Sequence, residues 1–201
     1  MSWVIGIVAG YLIGSIPFAL LLGRRHGIDI RHVGSGNVGA TNVLRAVGAR
    51  AAVLTLLLDA AKGTIAVFIA RQLADEPSVP VLAALASIVG HVSPVWLRFR
   101  GGKGVATAGG AFGVIAPFAL GVAMVAFGLT VWLTRFVSLG SIVAAATLVC
   151  VLVVTDSSLV VTGGAAIAAL VIVVGHRENV ARLIAGTEHR LGQRPITGVG
   201  R

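Results

Sequence analysis

Acidic residues are scarce in this chain, seven among 201, and cysteine, tyrosine and methionine are scarcer still at one, one and two. A single cysteine, Cys150, excludes an internal disulfide and any multi-cysteine metal site. The five histidines show no HExxH or comparable ligand spacing, so neither a metal nor a cofactor is expected. Charged residues make up only 11% of the chain against 57% hydrophobic, and the mean hydropathy is +0.98, which excludes a soluble globular domain. Strand-like alternation is also missing from the apolar runs, which excludes a β-barrel reading and leaves helices.

What is present is a series of apolar runs at about 2–22, 51–70, 79–97, 105–117, 118–134, 137–154 and 159–175. With about 20 apolar residues needed per helical span, they predict an all-α integral membrane protein of seven transmembrane helices, residues 1–201 forming one membrane domain. The stretch 105–134 is too long for one span and short for two, and Pro117 stands where a turn divides it, leaving the fourth span short. Fourteen of the sixteen cations then fall on one side. Arg24, Arg25, Arg31, Arg45 and Arg50 follow the first span, Arg98, Arg100 and Lys103 the third, and Arg135 the fifth. Arg177, Arg182, Arg190, Arg194 and Arg201 follow the seventh. The positive-inside rule makes that side cytoplasmic, with the N-terminus outside and the C-terminus inside. Orientation thus accounts for the net charge of +9, and no nucleic-acid partner is required.

Three cytoplasmic segments, at about 29–48, 90–107 and 175–192, carry more than orientation demands. In the first, Gly34, Gly36 and Gly39 permit unusual backbone angles, while Ser35, Asn37, Thr41, Asn42 and Arg45 offer donors to an anion. The second holds Gly101, Gly102, Lys103 and Gly104 just before a helix expected to start near Val105. It is not a Walker A loop, because Lys103 is followed by Gly104 and Leu97 stands five positions before Gly102. Glycine amides, a lysine and a helix N-terminus nevertheless make an anion site, with phosphate the natural ligand. The third is read as a charged helix leaving the last span, with His176, Asn179 and Leu183 on one face and Arg182 three residues after Asn179. Within the second span Asp59 and Lys62 lie three apart and can pair; ionisable residues at such depth point to function by default.

Hydrolytic and thioester chemistries find no support. There is no GxSxG, since Val33 takes the first glycine position before Gly34-Ser35-Gly36, and no histidine has an aspartate five residues later. The segments SGNVGATN with Arg45, GHVSPVWLRFRGGKGVAT and GHRENVARLIAGTEHRLG, in this order with LDAAKG between the first two, together resemble the bacterial acyl-phosphate:glycerol-3-phosphate acyltransferases of the PlsY type. The resemblance runs from Gly14 to Gly192, with Trp96 and Arg100 as mild departures. It implies a seven-helix enzyme of the bacterial inner membrane, active on the cytoplasmic side and expected as a monomer among membrane lipids. It further implies transfer of a fatty acyl group from acyl phosphate to the 1-hydroxyl of glycerol 3-phosphate, the first step of phospholipid synthesis. Carried onto these positions, Ser35 and Arg45 are important for activity, Gly101 to Gly104 with Lys103 hold glycerol phosphate, His176 and Asn179 are active-site residues, and Glu188 is structural. The base is left open between His176 and a substrate phosphate oxygen. The alternative is a small anion or phosphate-ester transporter, against which stands the lack of a clear inverted repeat.

Overall fold

The computed structural model describes residues 2–193, and all regular structure among them is helical. Arg194 and Arg201, placed on the cytoplasmic side above, lie outside the described residues. The first span, Trp3–Arg25, is two helices, α1 (Ser2–Gly14) and α2 (Phe18–Arg25). Pro17 supplies no N–H at the break, where the Ile16 carbonyl accepts from Phe18 N and from Lys62 Nζ, each at 3.1 Å. A short helix α3 (Ala40–Ala46) follows, then α4 (Ala49–Leu73), α5 (Ser78–Val92), α6 (Val105–Ile115), α7 (Pro117–Thr134), α8 (Val137–Val154), α9 (Leu159–Gly175) and α10 (Arg177–Ile184).

Five of these segments are long and apolar enough to cross a membrane, and the pair α9 and α10, bent by 57°, makes a sixth if taken as one span. Seven spans are expected, the fourth of them short. That fourth is α6, whose 11 residues run about 16 Å, half of the roughly 30 Å hydrocarbon layer, which is why it falls outside the count by length. The division within 105–134 falls where Pro117 places it: Ala116 leaves the helical region and Pro117 opens α7 at its first turn, where a missing N–H costs nothing. Arg71 caps the carbonyl end of α6, donating to Val114 O at 2.9 Å. The third segment also differs from the continuous helix expected, because the chain bends at His176 between α9 and α10.

Small residues set how closely the helices approach. In lipid, association rests on close packing rather than on a hydrophobic drive between helices. Gly6, Gly10 and Gly14 line one face of α1, and a Cβ at Gly14 would stand 2.1 Å from the Ser87 carbonyl of α5. The same holds between α4 and α6, where a Cβ at Gly63 would meet Thr107 O at 2.1 Å and one at Gly110 would meet Ala60 O at 1.9 Å. The main core gathers Ile88, Phe112, Leu148, Leu152 and Ile172 from α5, α6, α8 and α9. Large apolar side chains face outward elsewhere, Leu159 being 86% and Trp132 77% exposed, as a lipid-facing surface requires. A second cluster, Leu20, Ile30, Val38 and Val43, packs the loop between α2 and α4 at one end of the bundle.

Candidate functional site

The loop after α2 is organised from within by Asn42. Its buried amide donates to Ile30 O at 2.8 Å and to Val33 O at 3.0 Å, and its carbonyl accepts from Ser35 N at 2.9 Å. Both Asn42 donors, expected to face an anion, are thus used to shape the turn around Gly34 and Gly36, which have φ of +64° and +68°. Ser35 is exposed on that turn, and Asn37, Thr41 and Arg45 are half-buried beside it. Burial lowers the Arg45 guanidinium from its ordinary value, the charge of Glu188 opposing this and that of Arg182 adding to it. Arg45 therefore shares its surroundings with residues from the far end of the sequence.

The glycine turn is built differently from the sequence expectation. Gly101 N donates to Val92 O and Gly102 N to His91 O, each at 3.0 Å, so these two amides dock the turn on the end of α5 and are not free for a ligand. A Cβ at Gly101 would stand 2.1 Å from His91 O, and one at Gly102 would stand 2.1 Å from His91 Nε2. The glycines are required by this packing. Gly104, at φ +80°, turns the chain into α6, and among the described hydrogen bonds none uses the amides from Lys103 to Ala106. Those amides, at the positive end of α6, are the ones open to an anion.

Lys103 reaches across to α10. Its Nζ donates to Asn179 Oδ1, and its stem lies along Gly175, whose Cβ position is 3.7 Å from Lys103 Cβ. Asn179 in turn donates through Nδ2 to Glu188 Oε1 at 2.6 Å. The same carboxylate accepts from Ser138 Oγ and, through Oε2, from Arg182 Nε, both at 2.7 Å. Burial by itself raises the Glu188 carboxyl, but these three hydrogen bonds and the Arg182 charge outweigh it and hold the group below the usual carboxylate value. Burial lowers Lys103 to about 8, with Glu188 opposing and Arg182 adding. His176 is buried at the bend, and its Nδ1 lies 2.8 Å from Ile172 O. A carbonyl only accepts, so Nδ1 carries the proton and Nε2 is left with its lone pair.

Behind the glycine turn, Asp59 and Lys62 form the ion pair their spacing allows, at 2.9 Å and almost fully buried. His91 Nδ1 lies 3.6 Å from Asp59 Oδ1. A narrow cavity adjoins this group, lined among others by Ser15, Pro17, Val38, Lys62, His91 and Gly101.

The structure thus brings Arg45, Lys103, His176, Asn179 and Glu188 to one end of the bundle, with Ser35, Asn37 and Thr41 on the loop beside Arg45, and sets Asp59 and Lys62 deeper. Sequence reasoning passed over His91, Ser138 and the pairing role of Arg182. His91 stands in the GHVSP stretch just before the glycine turn, a signal that was available; Ser138 carries none, being one of two serines in an apolar helix. Three cations converge on a half-buried position with one carboxylate beneath them, which is suited to holding an anion of more than one charge.

The family model described as glycerol-3-phosphate acyltransferase matches residues 4–186 of this chain. A protein named glycerol-3-phosphate acyltransferase from Anaeromyxobacter sp. (strain Fw109-5) is 50% identical over 193 residues, covering 92% of this chain and 94% of its own. One of the same name from Trichlorobacter lovleyi is 44% identical over 190 residues, covering 94% and 96%. Two crystal structures of PlsY (YgiH), an integral membrane glycerol 3-phosphate acyltransferase, are also similar. The glycerol 3-phosphate form matches at TM-score 0.90 and 40% identity, the lysophosphatidic acid form at 0.88 and 39%, each covering 96% of both chains.

Proposed function

This chain belongs to the glycerol-3-phosphate acyltransferase family, and from that premise we propose that its donor is acyl phosphate and that its site lies at the cytoplasmic face of the bacterial inner membrane. It is an acyltransferase of phospholipid synthesis acting on glycerol 3-phosphate, and the transporter alternative finds no support. In the proposed reaction the 1-hydroxyl oxygen bonds to the acyl carbon while the bond from that carbon to the phosphate oxygen breaks. The products are 1-acyl-glycerol 3-phosphate and phosphate.

The observation that carries this reading is the convergence of Arg45, Lys103 and Arg182 around Asn179 and Glu188. Both substrates present phosphate, and these cations with the open amides of α6 match two anionic groups held side by side. Phosphate is already a good leaving group, so fixed positive charge that strengthens as the bond breaks supplies much of the acceleration. Holding the hydroxyl near the acyl carbon supplies more. No acyl-enzyme is needed. The hydroxyl proton passes to His176 Nε2 or to a phosphate oxygen of the donor. An open apolar groove on α4, lined by Val53, Leu54 and Leu57 with Arg50 at its end, has the chemistry a fatty chain needs. The seven-span count with the N-terminus outside, and the monomeric state, belong to the same proposal. The cations of three separate loops meet at one end of the bundle, as the proposed orientation requires.

Purified protein given glycerol 3-phosphate should form 1-acyl-glycerol 3-phosphate from palmitoyl phosphate, and little or none from palmitoyl-CoA or an acyl carrier protein thioester. Equal or faster turnover with either thioester overturns the donor assignment.

A further inference from the structure

We propose that His91, backed by the buried Asp59–Lys62 pair, is a positioning residue for acyl transfer: it seats the glycine turn and thereby fixes where Lys103 stands. This rests on the reading of Lys103 as the residue that holds glycerol phosphate. Among the described hydrogen bonds and ion pairs none joins Asp59, Lys62 or His91 to the cation cluster, yet all three are buried, and charge at that depth is costly unless it is used.

The geometry links four segments. Lys62 Nζ donates to Ile16 O at the broken first span and pairs with Asp59 Oδ1 at 2.9 Å. The Phe18 ring lies 6.0 Å from the same ammonium. Asp59 Oδ1 faces His91 Nδ1 at 3.6 Å, which fixes the side of α5 on which the imidazole stands. The other edge of that ring fills the space a side chain at position 102 would need, the Cβ position being 2.1 Å from Nε2 and 2.9 Å from Val38 O. The His91 carbonyl holds the Gly102 amide at 3.0 Å. Lys103 is the next residue along, so the imidazole ring and the ion pair behind it set the start of the lysine's reach toward Asn179.

The test is a double-mutant cycle on the purified full-length protein in phospholipid nanodiscs, with the Michaelis constants for glycerol 3-phosphate and palmitoyl phosphate read separately. His91→Ala should raise the constant for glycerol 3-phosphate about tenfold and leave that for palmitoyl phosphate within about twofold. In a Lys103→Ala background the same substitution should add little, because the group it positions is gone. A structural role alone predicts that both constants and the yield of folded protein shift together, with effects that add in the cycle; that result overturns the proposal. Should Lys103→Ala leave the glycerol 3-phosphate constant unchanged, the reading of Lys103 falls, and the role of His91 falls with it.

A second pair keeps the proposal open to refutation if His91→Ala does not fold. His91→Asn retains a donor toward Asp59 and frees space at position 102. Gly102→Ala should be strongly impaired when His91 is present and recover at least about fivefold in the His91→Asn background, the Val38 carbonyl limiting the recovery. Equal impairment in both backgrounds means that the methyl group blocks the ligand and not the ring, which contradicts the proposal.

Discussion

Removing the Glu188 carboxylate should disable the site by releasing the residues around it. Glu188→Ala deletes three hydrogen bonds, from Ser138, Asn179 and Arg182, of 2.6 to 2.7 Å. Arg182 is about a third exposed and can rehydrate, so its loss counts for little. The Asn179 amide and the Ser138 hydroxyl are buried, and each left unpaired costs about 1–3 kcal/mol. The sum is about 2–6 kcal/mol in stability. Catalysis suffers more, since Asn179 is then free to turn its carbonyl from Lys103, and a displacement on the order of 1 Å at a reacting site lowers rate about 100-fold. Glu188→Gln keeps an acceptor for Asn179 and Ser138 but turns an amide toward Arg182, a milder fault. Thermal unfolding in detergent and kcat/KM should therefore rank wild type above Glu188→Gln and Glu188→Gln above Glu188→Ala. A Glu188→Ala protein with kcat/KM within twofold of wild type would refute the reasoning.

Lys103 is lowered to about 8, so it loses its charge as pH rises through that value; kcat/KM for glycerol 3-phosphate should decline above it by about tenfold per pH unit, and a profile flat to pH 9.5 contradicts this. Gly110→Ala should part α4 from α6, since its Cβ would stand 1.9 Å from Ala60 O, at a cost of about 3 kcal/mol or more. Gly109→Ala, with nothing among the described residues within 4 Å of its Cβ position, should express as wild type; equal yields of the two variants would count against the packing. In a Cys150→Ala background, cysteines at Arg98, Arg135 and Arg190 should be labelled from the cytoplasmic side and one at Asp75 from outside. Labelling at Arg135 from outside would end the proposed orientation.

Periodicity and charge made the membrane class, the break at Pro117 and the three polar segments legible, because each is a local property of the chain. The shortness of α6 was legible too, from the length of the run before Pro117, but composition does not say whether so short a helix packs beneath a loop or crosses lipid. The Lys103–Asn179 contact spans 76 residues, and no spacing rule reaches that far. Gly101 and Gly102 were read as open to a ligand because glycine signals both close approach and tight packing; only the His91 side chain and carbonyl decide between them. Asn42 misleads in the same way, a donor in sequence whose hydrogen bonds turn inward in the fold.

Whether the cluster at Lys103 holds glycerol phosphate is decided most directly by equilibrium binding of labelled glycerol 3-phosphate, without donor, to wild-type and Lys103→Ala protein matched for folding. The account predicts that Kd rises at least about tenfold when the ammonium is removed, the loss of one charge-assisted contact to phosphate. A Kd unchanged within twofold would contradict it.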